Sequence, residues 1–290
     1  MPKKIIFNKE EIDKIINLYK SGISCKEIGK QFKCSKQVIN INLKNNNIVI
    51  RDNSHAQQKY TINENIFSKI DSQEKAYWLG MLTGDGWITD RNELGLSLQE
   101  KDKNHIFLFK NFLSSTHPIK IINNGIKKNG NPSISYELKL SNKKIVLDLK
   151  KYGFSKNKTK YIKFPNINKK YLASYMLGLI DSDGSFCLKS HYKNKDKKLL
   201  SFNFIGPTEF TETFQKLLIN NCNISKTKLG IQKNTNFVRT VNYGGYKNIY
   251  KIVKFLYSGT NIFMQRKKSI AIKYLLEKYP NDQWLQSQLY

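Results

Sequence analysis

The feature that most constrains this 290-residue chain is a stretch that it carries twice. "AYWLGMLTGDGWI" begins at Ala76 and "ASYMLGLIDSDGSF" begins at Ala173. Laid one on the other, Tyr77 meets Tyr175, Leu79 meets Leu177, Gly80 meets Gly178, Asp85 meets Asp183 and Gly86 meets Gly184. The apolar residues recur at helical spacing, so each stretch predicts a helix. Small residues recur four apart, Gly80 with Gly84 and Gly178 with Ser182, which places them on one helix face. A glycine inside a helix costs about 1 kcal/mol relative to alanine. Close approach of another backbone offsets that cost, and the other copy is the expected partner. Two such helices side by side bring their C-terminal ends together.

Each predicted helix ends in an aspartate. A helix C-terminus carries roughly −0.5 of an elementary charge, so a carboxylate there is disfavoured by about 0.3–1 kcal/mol. Two of them at adjoining ends also repel. A purely structural role would select Lys or Asn. Divalent cations remove the conflict, because carboxylates and backbone carbonyls are hard oxygen ligands for Mg²⁺.

The repetition extends beyond the helices. After each come alternating strand-like runs, "LGLSL" (94–98) and "LLSFNF" (199–204). An amphipathic helix follows, "KNHIFLFKNFLSS" or "TEFTETFQKLLIN", then more strand, "ISYELKL" or "FVRTVNY". A further helix closes each part, "KKIVLDLKKYGF" or "YKNIYKIVKFLYSG". The order α-β-β-α-β-β-α thus occurs twice. A repeat of about 100 residues implies two similar α+β domains related by a pseudo-twofold axis.

Fifty basic residues stand against 22 acidic ones, a net charge of +28 spread along the whole chain. Abundant Lys, Asn and Ile fit an AT-biased genome, but that bias does not explain the shortage of acids. Such a chain attracts polyanions, nucleic acid first among them. No apolar run is long enough for a membrane span. The N-terminus, "MPKKIIFNKEEID", lacks the apolar core of a secretion signal, so the expected location is intracellular, in cytoplasm, nucleoid or an organelle matrix. Cys25, Cys34, Cys187 and Cys222 form no CxxC pair, which argues against zinc and for a reducing compartment. No GxxxxGK[ST] loop is present, so no nucleotide-driven motor is expected.

Residues 1–50 read as three short helices. The first runs near Lys9–Lys20, with Ile12, Ile15, Ile16 and Tyr19 on one face, and Gly22 ends it. Ser24 and Glu27 make a capping box for the second, which turns Ile28 and Phe32 inward. Ser35 caps the third, with Val38, Ile39 and Leu43 inward and Lys36, Gln37, Asn40 and Lys44 outward. This resembles the helix-turn-helix domains of resolvases and many regulators, whose second helix of the pair enters a major groove. A three-helix protein-contact module has the same pattern. Residues 51–62 read as a polar linker, 63–165 as the first repeated domain and 166–290 as the second.

"LGMLTGDG" (79–86) and "LGLIDSDG" (177–184) resemble the two motifs of a double-motif LAGLIDADG homing endonuclease. The first departs at Thr83, where the motif usually has an acid. The resemblance covers roughly residues 63–290 and leaves the helix-turn-helix outside it as an appended module. It implies a monomer in which two αββαββα domains form a saddle over double-stranded DNA with a long recognition site. It implies that Asp85 and Asp183, with Gly84 and Ser182 beside them, bind Mg²⁺, for which Mn²⁺ can substitute. The activity implied is metal-assisted phosphodiester hydrolysis, one site per strand. The family also carries a basic residue near each scissile phosphate. "KNKTKYIKFP" (156–165) offers Lys158 for that role and "FMQRKKSI" (263–270) offers Lys267. Gln99 is placed to order water near the metals.

β-Ribbons fit the major groove and read base edges. Candidate readers are Ser97 and Gln99 in one half and Lys189, His191, Arg239 and Asn242 in the other. Alternation alone does not say which face is outward, since a one-residue slip inverts it. Two other functions suit the same fold: a DNA-binding regulator without cleavage, and an RNA-binding maturase that assists splicing of a host intron. Retained aspartates oppose the first. The helix-turn-helix opposes the second, because A-form RNA hides its major groove.

Overall fold

The computed structural model of the chain describes residues 7–50, 60–126, 130–156, 162–190, 196, 198–232 and 235–289. It divides into two compact units, Met1–Thr61 and Ile62–Tyr290.

The first unit contains α1 (Lys9–Lys20), α2 (Cys25–Gln31) and α3 (Lys36–Asn45). Each starts at a polar side chain that satisfies an open N–H group of its first turn. Ser24 and Glu27 form the expected capping box, Asn8 and Glu11 form a second one, and Ser35 caps α3. Gly22 ends α1 at φ +104°, in the left-handed region that favours glycine. At Gly29 the turn into α3 crosses so close that a Cβ would lie 2.8 Å from the Cys34 carbonyl oxygen. Ile15, Tyr19, Cys25, Ile28, Ile39 and Leu43 form the core of this unit. Lys36, Gln37 and Lys44 are exposed on α3, and Asn40 is half-buried.

The second unit realises the doubled order. Its first half runs α4 (Gln73–Asp85), β1 (Gly86–Ile88), β2 (Glu93–Gln99), a 3-10 turn (Glu100–Asp102), α5 (Lys103–Phe112), β3 (Ile119–Ile126), β4 (Pro132–Ser141) and α6 (Lys143–Lys151). Its second half runs α7 (Lys169–Asp183), β5 (Gly184–Ser190), β6 (Lys198–Pro207), α8 (Thr208–Cys222), β7 (Gly230–Ile231), β8 (Val238–Gly244) and α9 (Tyr246–Leu256). Two helices follow for which the repeat gave no warning: α10 (Gln265–Lys278) and α11 (Gln283–Ser287). The fold is α+β, with two antiparallel four-stranded sheets ordered β1-β2-β4-β3 and β5-β6-β8-β7.

Register fixes the two faces of each sheet. Leu94, Leu96 and Leu98 of β2 and Leu138 and Leu140 of β4 pack with Ile106 and Phe109 of α5 and Ile145, Val146 and Leu149 of α6. In the other half Phe186, Leu200, Phe202, Phe204, Val241 and Tyr243 meet Phe210 and Phe214 of α8 and Ile249 and Val253 of α9. The alternate residues of every strand lie on the face turned away from these helices.

Helices α4 and α7 form the seam between the halves. Ala76–Leu82 and Leu172–Asp181 are buried without a break, as expected of helices covered on all sides. The glycines make the expected close contact. A Cβ on Gly80 would lie 2.1 Å from the Tyr175 carbonyl oxygen, and one on Gly178 would lie 2.1 Å from that of Tyr77. The two contacts are reciprocal, as the pseudo-twofold relation requires.

Candidate active site

Both seam helices end alike. The N–H of Gly86 donates to the Leu82 carbonyl, and that of Gly184 donates to the Ile180 carbonyl. Both glycines are extended, so the chain leaves each helix straight into β1 or β5, with Asp85 or Asp183 at the corner. The two corners adjoin. A Cβ on Gly84 would lie 2.0 Å from Ser182 Oγ and 2.9 Å from Asp183 Oδ2. The Asp183 carboxylate therefore lies over the backbone beside Asp85. Asp85 is half-buried and Asp183 exposed. Ser182 Oγ donates back to the carbonyls of Gly178, at 3.1 Å, and Leu179, at 3.0 Å.

Among the described residues no group of three or more His, Cys, Asp or Glu side chains comes together. The available donor set is thus two carboxylates with backbone carbonyls at two helix ends. Where Gly84 lacks a Cβ the Ser182 side chain fills the space, so the two helix ends pack closely enough to set the Asp183 carboxylate beside the backbone at Asp85. Carboxylates and backbone carbonyls are hard oxygen donors that suit a small divalent cation.

Lys267, expected near a scissile phosphate, is turned into the protein. It is buried in the first turn of α10, and its Nζ donates to the carbonyls of Ile180, Asp181 and Gly184, each at 2.7 Å. All three ammonium hydrogens are thereby used. Lys267 thus caps the C-terminal end of α7, next to Asp183, in the neighbourhood where the sequence placed a basic residue. Burial pulls its pKa down, and the neighbouring Asp181 pulls it back up. Its charge offsets the negative end of the helix on which Asp183 stands. Lys158, expected to act in the first half, lies outside the described residues.

A polar network that the sequence did not announce holds α10 in place. Asp181 Oδ2 accepts from Tyr77 Oη and from the Met264 N–H, both at 2.7 Å. Its Oδ1 is buried with no hydrogen-bond partner among the described residues. Tyr77 Oη also lies 2.6 Å from His105 Nε2. The tyrosine gives its one proton to Asp181, so Nε2–H of a neutral histidine donates to it. Burial lowers the His105 pKa to about 4. Burial, countered by Lys267, raises that of Asp181 to about 6. Next in the chain, Arg266 makes a two-pronged ion pair with Asp102 of the first half, at 2.7 and 2.9 Å.

This network also accounts for Thr83. By the repeat, Thr83 stands where Asp181 stands in the other copy. Tyr175 Oη is 3.5 Å from Thr83 Oγ1, which itself donates to the Leu79 carbonyl at 2.8 Å. The position is a seam position facing a tyrosine, and in this copy the Thr83 hydroxyl meets it.

The register sorts the expected base readers. Ser97 and Gln99, opposite Glu137 and Ser135, lie on the face turned away from the helices. Lys189 and Asn242 lie on the corresponding face of the second sheet, and Asn203, opposite Asn242, joins them. Arg239 is corrected: it shares the helix-side face with Val241 and Tyr243, and its guanidinium donates to the Asn236 and Val238 carbonyls. His191 lies outside the described residues.

The chain is similar to solved structures of LAGLIDADG homing endonucleases. The I-LtrWI LAGLIDADG homing endonuclease bound to target DNA is 15% identical, with a TM-score of 0.48 over 78% of this chain and 95% of that one. The meganuclease I-SmaMI, bound to uncleavable DNA with a TTGT central four, is 14% identical, with a TM-score of 0.49 over 74% and 92% of the two chains. The LAGLIDADG meganuclease I-AabMI, bound to uncleaved DNA, is 14% identical, with a TM-score of 0.45 over 70% and 90%. No protein-family model matches the sequence, and no curated protein matches it. No described helix is long and apolar enough to cross a membrane.

Proposed function

We propose that this chain is a site-specific endonuclease that cuts both strands of duplex DNA with divalent metal ions, Mg²⁺ first. One observation carries the reading: two helices pressed together at paired glycines end in Asp85 and Asp183 at one place, on a chain of net charge +28. Acidic side chains gathered at two helix ends are costly for stability and useful for holding cations. Bound there, the ions would activate water and offset charge on the phosphorane and the leaving 3′-oxygen.

The chain's own groups have distinct tasks in this reading. Asp85 and Asp183 each serve one strand. Lys267 keeps the end of α7 electrostatically tolerable. Gln99, exposed at the end of β2, orders water. The outer faces of the two sheets, with Ser97, Lys189 and Asn242, meet the major groove of a long target, and one chain suffices. Residues 1–50 bind DNA through Lys36, Gln37, Asn40 and Lys44, joined by linker 51–62 to domains 63–165 and 166–290. Cleavage of a specific long site suits a mobile intron or intein.

The test is incubation of the full chain with a randomised duplex library and Mg²⁺, followed by sequencing of cut ends. Paired cuts at one sequence are expected, lost in Asp85→Asn and Asp183→Asn while DNA binding persists. Binding without any cut would instead favour a regulator. Preferential binding of a structured RNA would favour a maturase.

A further inference from the structure

The surroundings of the two aspartates are not alike. Two residues beyond Asp85, Trp87 of β1 pairs with Gly95 of β2, and Gly95 pairs with Lys139 of β4. Gly95 lies between the core residues Leu94 and Leu96, and Lys139 between Leu138 and Leu140. The row Trp87–Gly95–Lys139 is therefore on the outer face of the sheet. The indole lies against the β2 backbone: a Cβ on Gly95 would be 2.1 Å from its Cζ2 and 2.2 Å from its Cε2. A glycine in mid-strand weakens the strand and marks such a close approach. Lys139 Nζ lies 5.7 Å from the ring centroid and is held 2.8 Å from Glu93. Trp87 is half-buried, with part of the indole open to solvent. In the second half the matching row is Ser185–Asn203–Asn242, a hydroxyl and two amides.

We infer that Trp87 is a specificity-determining residue, whose indole packs against thymine C5-methyl groups in the base pairs beside the bond served by Asp85. This rests on the endonuclease reading above. An indole carries no charge for a phosphate, and most of what it offers is apolar area. The thymine methyl is the apolar group that a base pair offers in the major groove, where sheet ribbons enter. Glu93 holds Lys139 Nζ on the ring side of the strand, so the indole offers its apolar area beside a tethered cation. On the other side of the cut, Asn203 and Asn242 carry the amides that match adenine N6 and N7. The two halves thus read their sides of the target by different chemistry, and the preferred target is not a palindrome.

The experiment selects duplexes from a randomised library by binding in EDTA, using the full chain, Trp87→Ser and Trp87→Phe. Serine is the residue that the second half has at the matching position. The unaltered chain should enrich thymine on one side of the centre. Trp87→Ser should lose that enrichment by about fivefold or more and keep the preference on the other side. Adding the selected duplex should change the tryptophan emission of the unaltered chain but not of Trp87→Phe. A Trp87→Ser protein that melts normally and selects unchanged sequences overturns the proposal. So does an equal emission change in Trp87→Phe, and this arm decides alone if Trp87→Ser does not fold. An unaltered chain that enriches no duplex overturns the endonuclease reading itself, and this proposal with it.

Discussion

Gly80 touches the carbonyl of Tyr175 across the seam, and a Cβ added to it would lie 2.1 Å from that oxygen. The obstacle is backbone, so no rotamer change relieves it. Either helix must shift, and both are packed on every side. Gly80→Ala and Gly178→Ala should each destabilise the second unit by about 1–3 kcal/mol, read as a lower melting temperature. Gly244→Ala is the control, because nothing lies within 4 Å of its Cβ position. Equal melting of all three variants would place the seam elsewhere.

Lys267 gives a second prediction, and one that separates its observed role from the expected one. Lys267→Met leaves three buried carbonyls without their donor and removes the positive charge beneath the end of α7. A loss of about 3 kcal/mol is expected. Metal-free DNA affinity should hold at temperatures where the variant stays folded, since Nζ has no hydrogen left for a phosphate. Unchanged melting with weakened DNA binding would instead assign Lys267 a phosphate contact.

The seam was legible because two independent periodicities agree: small residues four apart, and an acid at the same place in each copy. The doubled sheet order followed from the same repeat. Lys267 was legible as a basic residue near the site but not as a helix cap, because only the tertiary path of α10 brings it to the Ile180 and Gly184 carbonyls. Helices α10 and α11 have no copy among the described residues of the first half, and the repeat as read from the sequence was silent about them. In "FVRTVNY" the valines at 238 and 241 are an odd number of residues apart, so alternation could not fix which face Arg239 takes. Pairing of Phe204 with Val241 does fix it. Asp181 looked like part of a motif, while its bond to Met264 joins segments distant in the chain.

His105 makes stability depend on pH. Its folded-state pKa is about 4 against an ordinary 6.5. Below pH 6.5 the unfolded chain takes a proton that the folded chain refuses, so stability falls as pH drops from 6.5 to 4. Asp181, raised to about 6, works in the opposite sense between 6 and its ordinary value of 3.8. His105→Gln keeps a donor for Tyr77 and removes only the first contribution. Relative to the unaltered chain it should gain up to about 3 kcal/mol between pH 7 and pH 4. Melting curves of the two proteins across that range provide the measurement. A constant difference would mean that His105 is charged or solvated in the folded state.

The first unit has its own core and its own caps, so its removal leaves the second unit's core intact. Lys36, Gln37 and Lys44 are exposed on α3 as a groove-reading helix requires, with Asn40 half-buried among them. If they bind DNA, a chain lacking residues 1–61 should protect a shorter footprint and bind more weakly. Phosphate contacts would dominate the loss, so the full chain should show the steeper fall of affinity with salt, by about 0.9 in log–log slope for each contact removed. The cut position should not move, because Asp85 and Asp183 both belong to the second unit. Footprinting and salt titration of the two chains measure all three effects together. Matching footprints and slopes would show that this unit does not touch DNA, and the surface of α3 would then be read as a contact for protein.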